Sequence, residues 1–225
     1  MNLRKHIDNL KHIIQTELHT CGRAPDAVQL LAVSKNMSVT HMLDLYQLGI
    51  TSFAENNLQT ALRKQAQLIH YPIEWHFIGS IQRNKTLAIA QNFTWVHSVD
   101  RQLIAQRLSE QRPTHLPPLQ ICIQINLEQE HNKSGVTASE ILPLANFILT
   151  LPNLKLRGLM CIPKPHTDIE EQYTVFSQLK TLQQTLNQLY NFKLDTLSMG
   201  MSNDFRAAIR AGSTIIRLGQ ILNSP

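Results

Sequence analysis

Cysteine is scarce in this sequence, with three in 225 residues at Cys21, Cys122 and Cys161. The odd number and the lack of any CxxC spacing argue against a disulfide framework and against a cysteine-built zinc site. Cys122 and Cys161 fall inside apolar runs and read as small core residues. Long hydrophobic runs are missing too: none approaches the ~20 apolar residues that span a bilayer, so no membrane protein is expected. The N-terminus MNLRKHIDNLKHIIQTELHT carries no signal-peptide core and has the spacing of an amphipathic helix, which predicts a cytoplasmic protein. Basic residues outnumber acidic ones, 21 to 16, but nowhere do four or more stand in a row. Such scattered charge gives little ground for nucleic-acid binding and suits a small anionic ligand equally well. Ten histidines show neither HxH nor HExxH spacing, so no metal site is expected.

What the sequence does have is alternation. VQLLAVS (28–34) has the make-up of a buried strand, and SVTHMLDLYQLG has helical spacing that ends on Gly49 as a C-cap. ITSFAEN and LQTALRKQAQLIH repeat the pair, followed by EWHFIGS and NKTLAIAQNF. TWVHSV comes next, with Asp100 placed to cap RQLIAQRLSEQ. LQICIQIN (119–126) is the fifth strand, and Thr137 with Glu140 makes a capping-box pattern ahead of ILPLANFILTL. KLRGLMCI precedes the longest helix, DIEEQYTVFSQLKTLQQTLNQLY. DTLSMG, the short helix SNDFRAAIRAG and STIIRLG complete the series, after which the chain is expected to end.

Strands alternating with helices predict an α/β fold of parallel strands joined by right-handed crossovers. Eight such units in roughly 200 residues is the count of a TIM barrel. The expectation is a single (β/α)8 TIM barrel over residues 1–225, with an extra N-terminal helix and no C-terminal β-domain. A doubly wound open sheet is the alternative. It usually needs fewer strands, and the Gly-rich dinucleotide turn after the first strand is missing.

A barrel of this kind works at the C-terminal ends of its strands. Lys35, Glu55-Asn56, Gly79-Ser80, Asn84-Lys85, Asn132 to Gly135, Pro163-Lys164, Gly200 to Asn203 and Arg217 to Gln220 all fall there, with His76 and Met160 just inside. Ser202 stands where a loop becomes a helix, either as a plain N-cap or as part of an anion site with Gly219. Lys35 ends the apolar run LLAVSKN. It either snorkels to water or, if desolvated to a lower pKa, offers an amine that attacks a carbonyl. Arg217 either pairs with a carboxylate or faces a pyridine nitrogen, whose protonation a permanently charged guanidinium would oppose. His76 alone reads as a satisfied strand histidine.

Taken together, LLAVSK (30–35), AEN (54–56), EWHFIG (74–79), NK (84–85), IQIN (123–126), KSG (133–135), RGLMCIP (157–163), LSMGMSND (197–204), AAI (207–209), AGST (211–214) and the RLG of strand eight resemble the pyridoxal 5′-phosphate (PLP) homeostasis family. That family is also called the proline-synthetase co-transcribed or PLP-binding protein family, and the resemblance spans nearly the whole chain. It implies a barrel similar to the N-terminal domain of alanine racemase, with PLP held as a Schiff base on Lys35. By the same resemblance Asn56, His76 and Met160 line the cofactor, Ser202 meets its phosphate, and Arg217, followed by Gly219, lies near its pyridine nitrogen. The implied role is a non-catalytic carrier that buffers PLP and supplies it to apo PLP-dependent enzymes as clients; separately, a monomer is expected.

Some positions depart from the family pattern. Gln220 stands where a threonine is usual, which predicts weaker phosphate binding, while Ala54 and Ser80 replace a usual glycine and proline without evident cost. A racemase-like enzyme is the alternative function, but it needs a second base, which in alanine racemase comes from the other subunit in a C-terminal β-domain. A Schiff-base enzyme without PLP would need an acid/base pair near Lys35, for which Glu55 and His76 are the candidates. Lys133, beside Ser134-Gly135, is a possible second amine for handing PLP to clients.

Overall fold

The computed structural model describes residues 3–130 and 133–223; Asn132 on the expected rim and Ser224 near the end lie outside them. Eight parallel strands close into a barrel in chain order, β1 (Gln29–Val33), β2 (Ser52–Glu55), β3 (Glu74–Phe77), β4 (Trp95–Val99), β5 (Leu119–Ile125), β6 (Leu154–Cys161), β7 (Thr196–Ser198) and β8 (Ile215–Leu218). β8 pairs with β1, Leu31 facing Arg217, so the sheet has no free edge and the open-sheet alternative is excluded. Strands covered on both faces need apolar residues at nearly every position. β5, LQICIQI, meets that demand and is buried along almost its whole length.

The helices form the outer layer. α1 (Leu3–Thr20) buries Ile7, Leu10, Ile14 and Leu18, one stripe at three- and four-residue spacing. It packs on α8 (Phe205–Arg210), where Arg210 pairs with Glu17 at 2.8 Å. Between them in the chain come α2 (Val39–Gln47), α3 (Leu58–Gln67), α4 (Thr86–Asn92), α5 (Gln102–Glu110), α6 (Ala138–Leu149) and α7 (Ile169–Tyr190). α6 starts on the expected capping box of Thr137 and Glu140, and α7 on Asp168, whose carboxylate accepts from the Glu170 N–H. Among the described residues no helix is long and apolar enough to cross a membrane.

Three local expectations change. Asp100 does not cap α5: Arg101 takes the N-cap position, and the Asp100 carboxylate accepts from the Arg101 guanidinium instead. Ser202 is not an N-cap either, because α8 begins beyond it at Phe205 with Asp204 as its cap. The chain does not stop after β8 but turns into a one-turn helix, α9 (Gln220–Asn223). Two histidines hold that turn, the His6 ring bonding Ile221 O at 2.6 Å and the His41 ring bonding Leu222 O at 2.8 Å. A four-residue helix has too little periodicity to be read from sequence; here partners on α1 and α2 fix it.

Candidate functional site at the C-terminal rim

β1 carries the chain to Ser34, where the Met37 N–H bonds back to Ser34 O and makes a turn. Lys35 sits in this turn and is exposed, so the protein itself does not supply the desolvation that the sequence reading required. Its ammonium makes no hydrogen bond or ion pair with another described residue, which leaves the amine available. Lys133 differs: its ammonium pairs with Glu130 at 2.6 Å and reaches the carbonyls of Ile162 and Pro163. As a receiving amine Lys133 is already engaged within its own loop.

The turn that bears Lys35 is anchored from outside the barrel. The Ser34 hydroxyl donates to Glu55 at 2.7 Å, and the Lys64 ammonium of α3 donates to both Glu55 (2.7 Å) and Ser34 O. Glu55 is fully buried, and its second oxygen has no partner among the described residues. Glu55 therefore points toward α3 and is not an acid/base group beside Lys35. Asn56, next along, is exposed on the rim. Gly79 packs on its main chain so closely that a Cβ would lie 2.1 Å from Asn56 O, so only glycine fits there.

Two loops meet across the top of β7 and β8. Gly200 turns with φ +97°, and the Asp204 carboxylate accepts from the Met201 N–H. Burial holds the Asp204 carboxyl above the usual range. The Ser202 hydroxyl then accepts from Ile221 N at 3.3 Å, bringing the β7 loop onto α9. At Gly219 a Cβ would meet Val33 at 3.2 Å, so this glycine lets the β8 turn lie against β1 beside the Lys35 turn. Ser202, Gly219 and the start of α9 thus form one small cradle next to the Lys35 turn.

Below this rim the barrel interior holds a buried set of polar side chains among apolar ones. Arg217 is buried, and its guanidinium donates to Ser198 O (2.6 Å), Ser198 Oγ (2.8 Å) and Cys161 O (2.9 Å). No carboxylate lies within ion-pair distance of it among the described residues. Burial lowers the pKa of the guanidinium below its ordinary value. A buried cation with neutral partners alone is costly, and an anionic or electron-rich ligand would compensate it.

His76 and Met160 lie within the barrel body and not on the rim. Both His76 nitrogens are in use, Nε2 on Glu74 (2.9 Å) and Nδ1 on His97 (2.8 Å), and its ring stacks on Trp95. It therefore cannot serve as an acid/base partner for Lys35. Met160 is fully buried against Trp95 and Cys122. Burial pushes the thiols of Cys122 and Cys161 up to about 12, so both act as core residues.

Sequence reading did not single out His97, Ser198 or Lys64, and it gave Glu55 an acid/base role that its buried ion pair with Lys64 does not support. The signal for the first two was a polar side chain in an otherwise apolar strand at the period of two that points inward, as in WVHSV and DTLSMG. Among the described residues no group of three or more His, Cys, Asp or Glu could hold a metal ion.

A closed parallel barrel with an unpartnered lysine above its first strand, Ser202 and Gly219 brought together between its last two loops and a buried arginine beneath them defines a class of barrels with a ligand site at the C-terminal rim. The family model of the alanine racemase N-terminal domain matches residues 6–223. The pyridoxal phosphate homeostasis protein of Vibrio alginolyticus is 50% identical over 222 residues, covering 97% of this chain and 95% of that protein. Among solved structures, PipY of Synechococcus elongatus PCC7942 with PLP bound aligns with a TM-score of 0.82 at 32% identity, over 94% of this chain and all of PipY. An alanine racemase of Clostridium difficile 630 shares the fold at TM-score 0.77 and 14% identity, this chain covering 60% of its length. The chain belongs to the pyridoxal phosphate homeostasis protein family, within the wider group built on the alanine racemase N-terminal barrel.

Proposed function

We propose that this chain is a PLP-binding protein that holds the cofactor covalently through Lys35 and serves in PLP homeostasis, buffering it and passing it to apo PLP-dependent enzymes. The observation that carries this reading is the uncommitted Lys35 amine on the β1 turn, with the buried, carboxylate-free Arg217 on the adjoining strand β8. When bound, PLP supplies an aldehyde that condenses with an amine and a phosphate that needs donors. Lys35 would take the aldehyde, the Ser202–Gly219 cradle would take the phosphate, Asn56 would lie at the ring's edge, and Arg217 would offer its remaining donors to the ring. Met160 and His76 would form the floor. PLP bound in PipY, a relative at 32% identity, supports the assignment. Free thiols at Cys21, Cys122 and Cys161 accord with a reducing, cytoplasmic setting.

The testing experiment is a titration of PLP-free protein with PLP, followed by borohydride reduction and peptide mapping. A visible absorption band and a reduced tag on the Leu30–Asn36 segment are expected. A protein that stays colourless, or a tag on another segment, would overturn the reading.

Gln220 begins α9 in place of the threonine expected in the family. A hydrogen bond to a charged group contributes ~1.5–3 kcal/mol, so Gln220→Thr is expected to tighten PLP binding by about tenfold or more. Equal dissociation constants for the two proteins in the same titration would show that the Gln220 amide already replaces the hydroxyl.

A further inference from the structure

Four side chains link Arg217 to the opposite mouth of the barrel. Arg217 Nη1 lies 2.8 Å from Ser198 Oγ, Ser198 Oγ 2.7 Å from His97 Nδ1, His97 Nε2 2.8 Å from His76 Nδ1, and His76 Nε2 2.9 Å from Glu74. The chain crosses the interior from β8 through β7, β4 and β3. It starts beneath the rim and ends at the N-terminal mouth, where Glu74 lines a cleft of about 630 Å³ with Trp95 and Arg157.

The two ends impose one proton pattern on the whole series. A guanidinium only donates, so Ser198 Oγ accepts from Arg217 and its own hydrogen must go elsewhere. An ionised carboxylate only accepts, and Glu74 is held at about 2, chiefly by its bond from His76. Three further donors, Gln29, Ser52 and Trp95, also face that carboxylate. His76 must then donate from Nε2 and, as a neutral ring, accept at Nδ1. His97 consequently donates from Nε2 and accepts at Nδ1, which is where the Ser198 hydrogen goes. Every donor has its acceptor, with no proton surplus.

A proton added to either imidazole breaks this order. A protonated His76 would point Nδ1–H at His97 Nε2, forcing His97 to turn its own N–H onto Ser198 Oγ. That oxygen would then face two donors, with no acceptor in the chain for its own hydrogen. Burial opposes the extra charge as well: it lowers the pKa of both imidazoles, that of His97 well below 6.5.

We propose that Glu74, His76, His97 and Ser198 form a one-directional hydrogen-bonded strut, with both imidazoles neutral, whose role is to position the Arg217 guanidinium beneath the cofactor. All four position Arg217, His76 in addition to the floor it would give the cofactor, and the assignment rests on the PLP-binding reading above. The strut connects a carboxylate at the N-terminal mouth of the barrel to a buried cation beneath the opposite rim.

Nitrogen-15 imidazole spectra of the PLP-free wild type, recorded from about pH 6 to about pH 8, test the pattern without any variant. Both His76 and His97 are expected to stay neutral with the proton on Nε2. A proton on Nδ1 of either ring, or titration near the ordinary imidazole value, overturns the strut. In the same spectra Glu74→Gln, which removes the acceptor-only end, is expected to mix the tautomers of His97, two residues further along the chain. An unchanged His97 in that variant overturns the coupling. Ser198→Ala is expected to weaken PLP binding about tenfold while Lys35 remains the reduced residue. Undiminished affinity would refute positioning of Arg217 even if the proton pattern holds. A wild type that binds no PLP would sink the function and the role given to Arg217 together. Binding at Lys35 with the wrong proton pattern would sink the strut alone.

Discussion

Lys35→Ala is expected to yield a folded protein that develops no visible band with PLP and retains none through gel filtration. The residue sits in an exposed turn and has no partner among the described residues, so its loss should move stability by no more than ~0.5 kcal/mol. What disappears is the only covalent hold the proposed site has. The cradle at Ser202 and Gly219 and the guanidinium of Arg217 would still offer contacts, and weak reversible binding through them is compatible with the proposal. Two controls make the result interpretable. The denaturation midpoint should match that of the wild type, and Lys133→Ala should keep the band, because the Lys133 ammonium is already occupied by Glu130 and two carbonyls. A Lys35→Ala protein that keeps a borohydride-reducible cofactor would move the attachment point elsewhere and remove the basis of the proposed function.

The strand and helix order was legible because each strand is a short apolar run and each helix has a polar face. β5, apolar at all but Gln120 and Gln124 of LQICIQI, and α6, with its Thr137–Glu140 box, needed nothing beyond local pattern. The rim was legible for the same reason: once the strands are placed, their ends are known, and Lys35, Asn56, Ser202 and Gly219 fall on them. What lies below the rim was not. His97 and Ser198 are 101 residues apart in the chain, and nothing in either strand's periodicity says that they touch across the barrel. The same limit applied to His76, whose partner His97 comes from the adjacent strand, so that a lone strand histidine gave no sign of a chain. Asp100 and Ser202 failed as caps because cap positions shift by one or two residues at no cost to the helix pattern.

The largest stability effect should come from Lys64, a residue with no direct place in the cofactor cradle. Lys64 and Glu55 are both buried, their nitrogen and oxygen are 2.7 Å apart, and the carboxylate's second oxygen is already without a partner. Removing one member of a buried pair strands the other charge, at a typical cost of ~3–5 kcal/mol. Lys64→Met is therefore expected to lower unfolding stability by about that amount, read from the denaturant midpoint at constant slope. The double variant Glu55→Leu/Lys64→Met replaces both charges with apolar groups of similar size, and such replacements are often neutral or stabilising. It should recover most of the loss. If the pair served stability alone, the double variant would bind PLP normally. The geometry argues otherwise, because Glu55 and Lys64 are also the partners of the Ser34 hydroxyl and carbonyl, one residue before Lys35. With both removed, the β1 turn loses its outer anchor. The double variant should then be stable yet bind PLP several-fold more weakly. Full stability with unchanged affinity would show that the pair does not position the Lys35 turn. Failure to recover stability would show that the Ser34 groups, and not the ion pair, bear most of the cost.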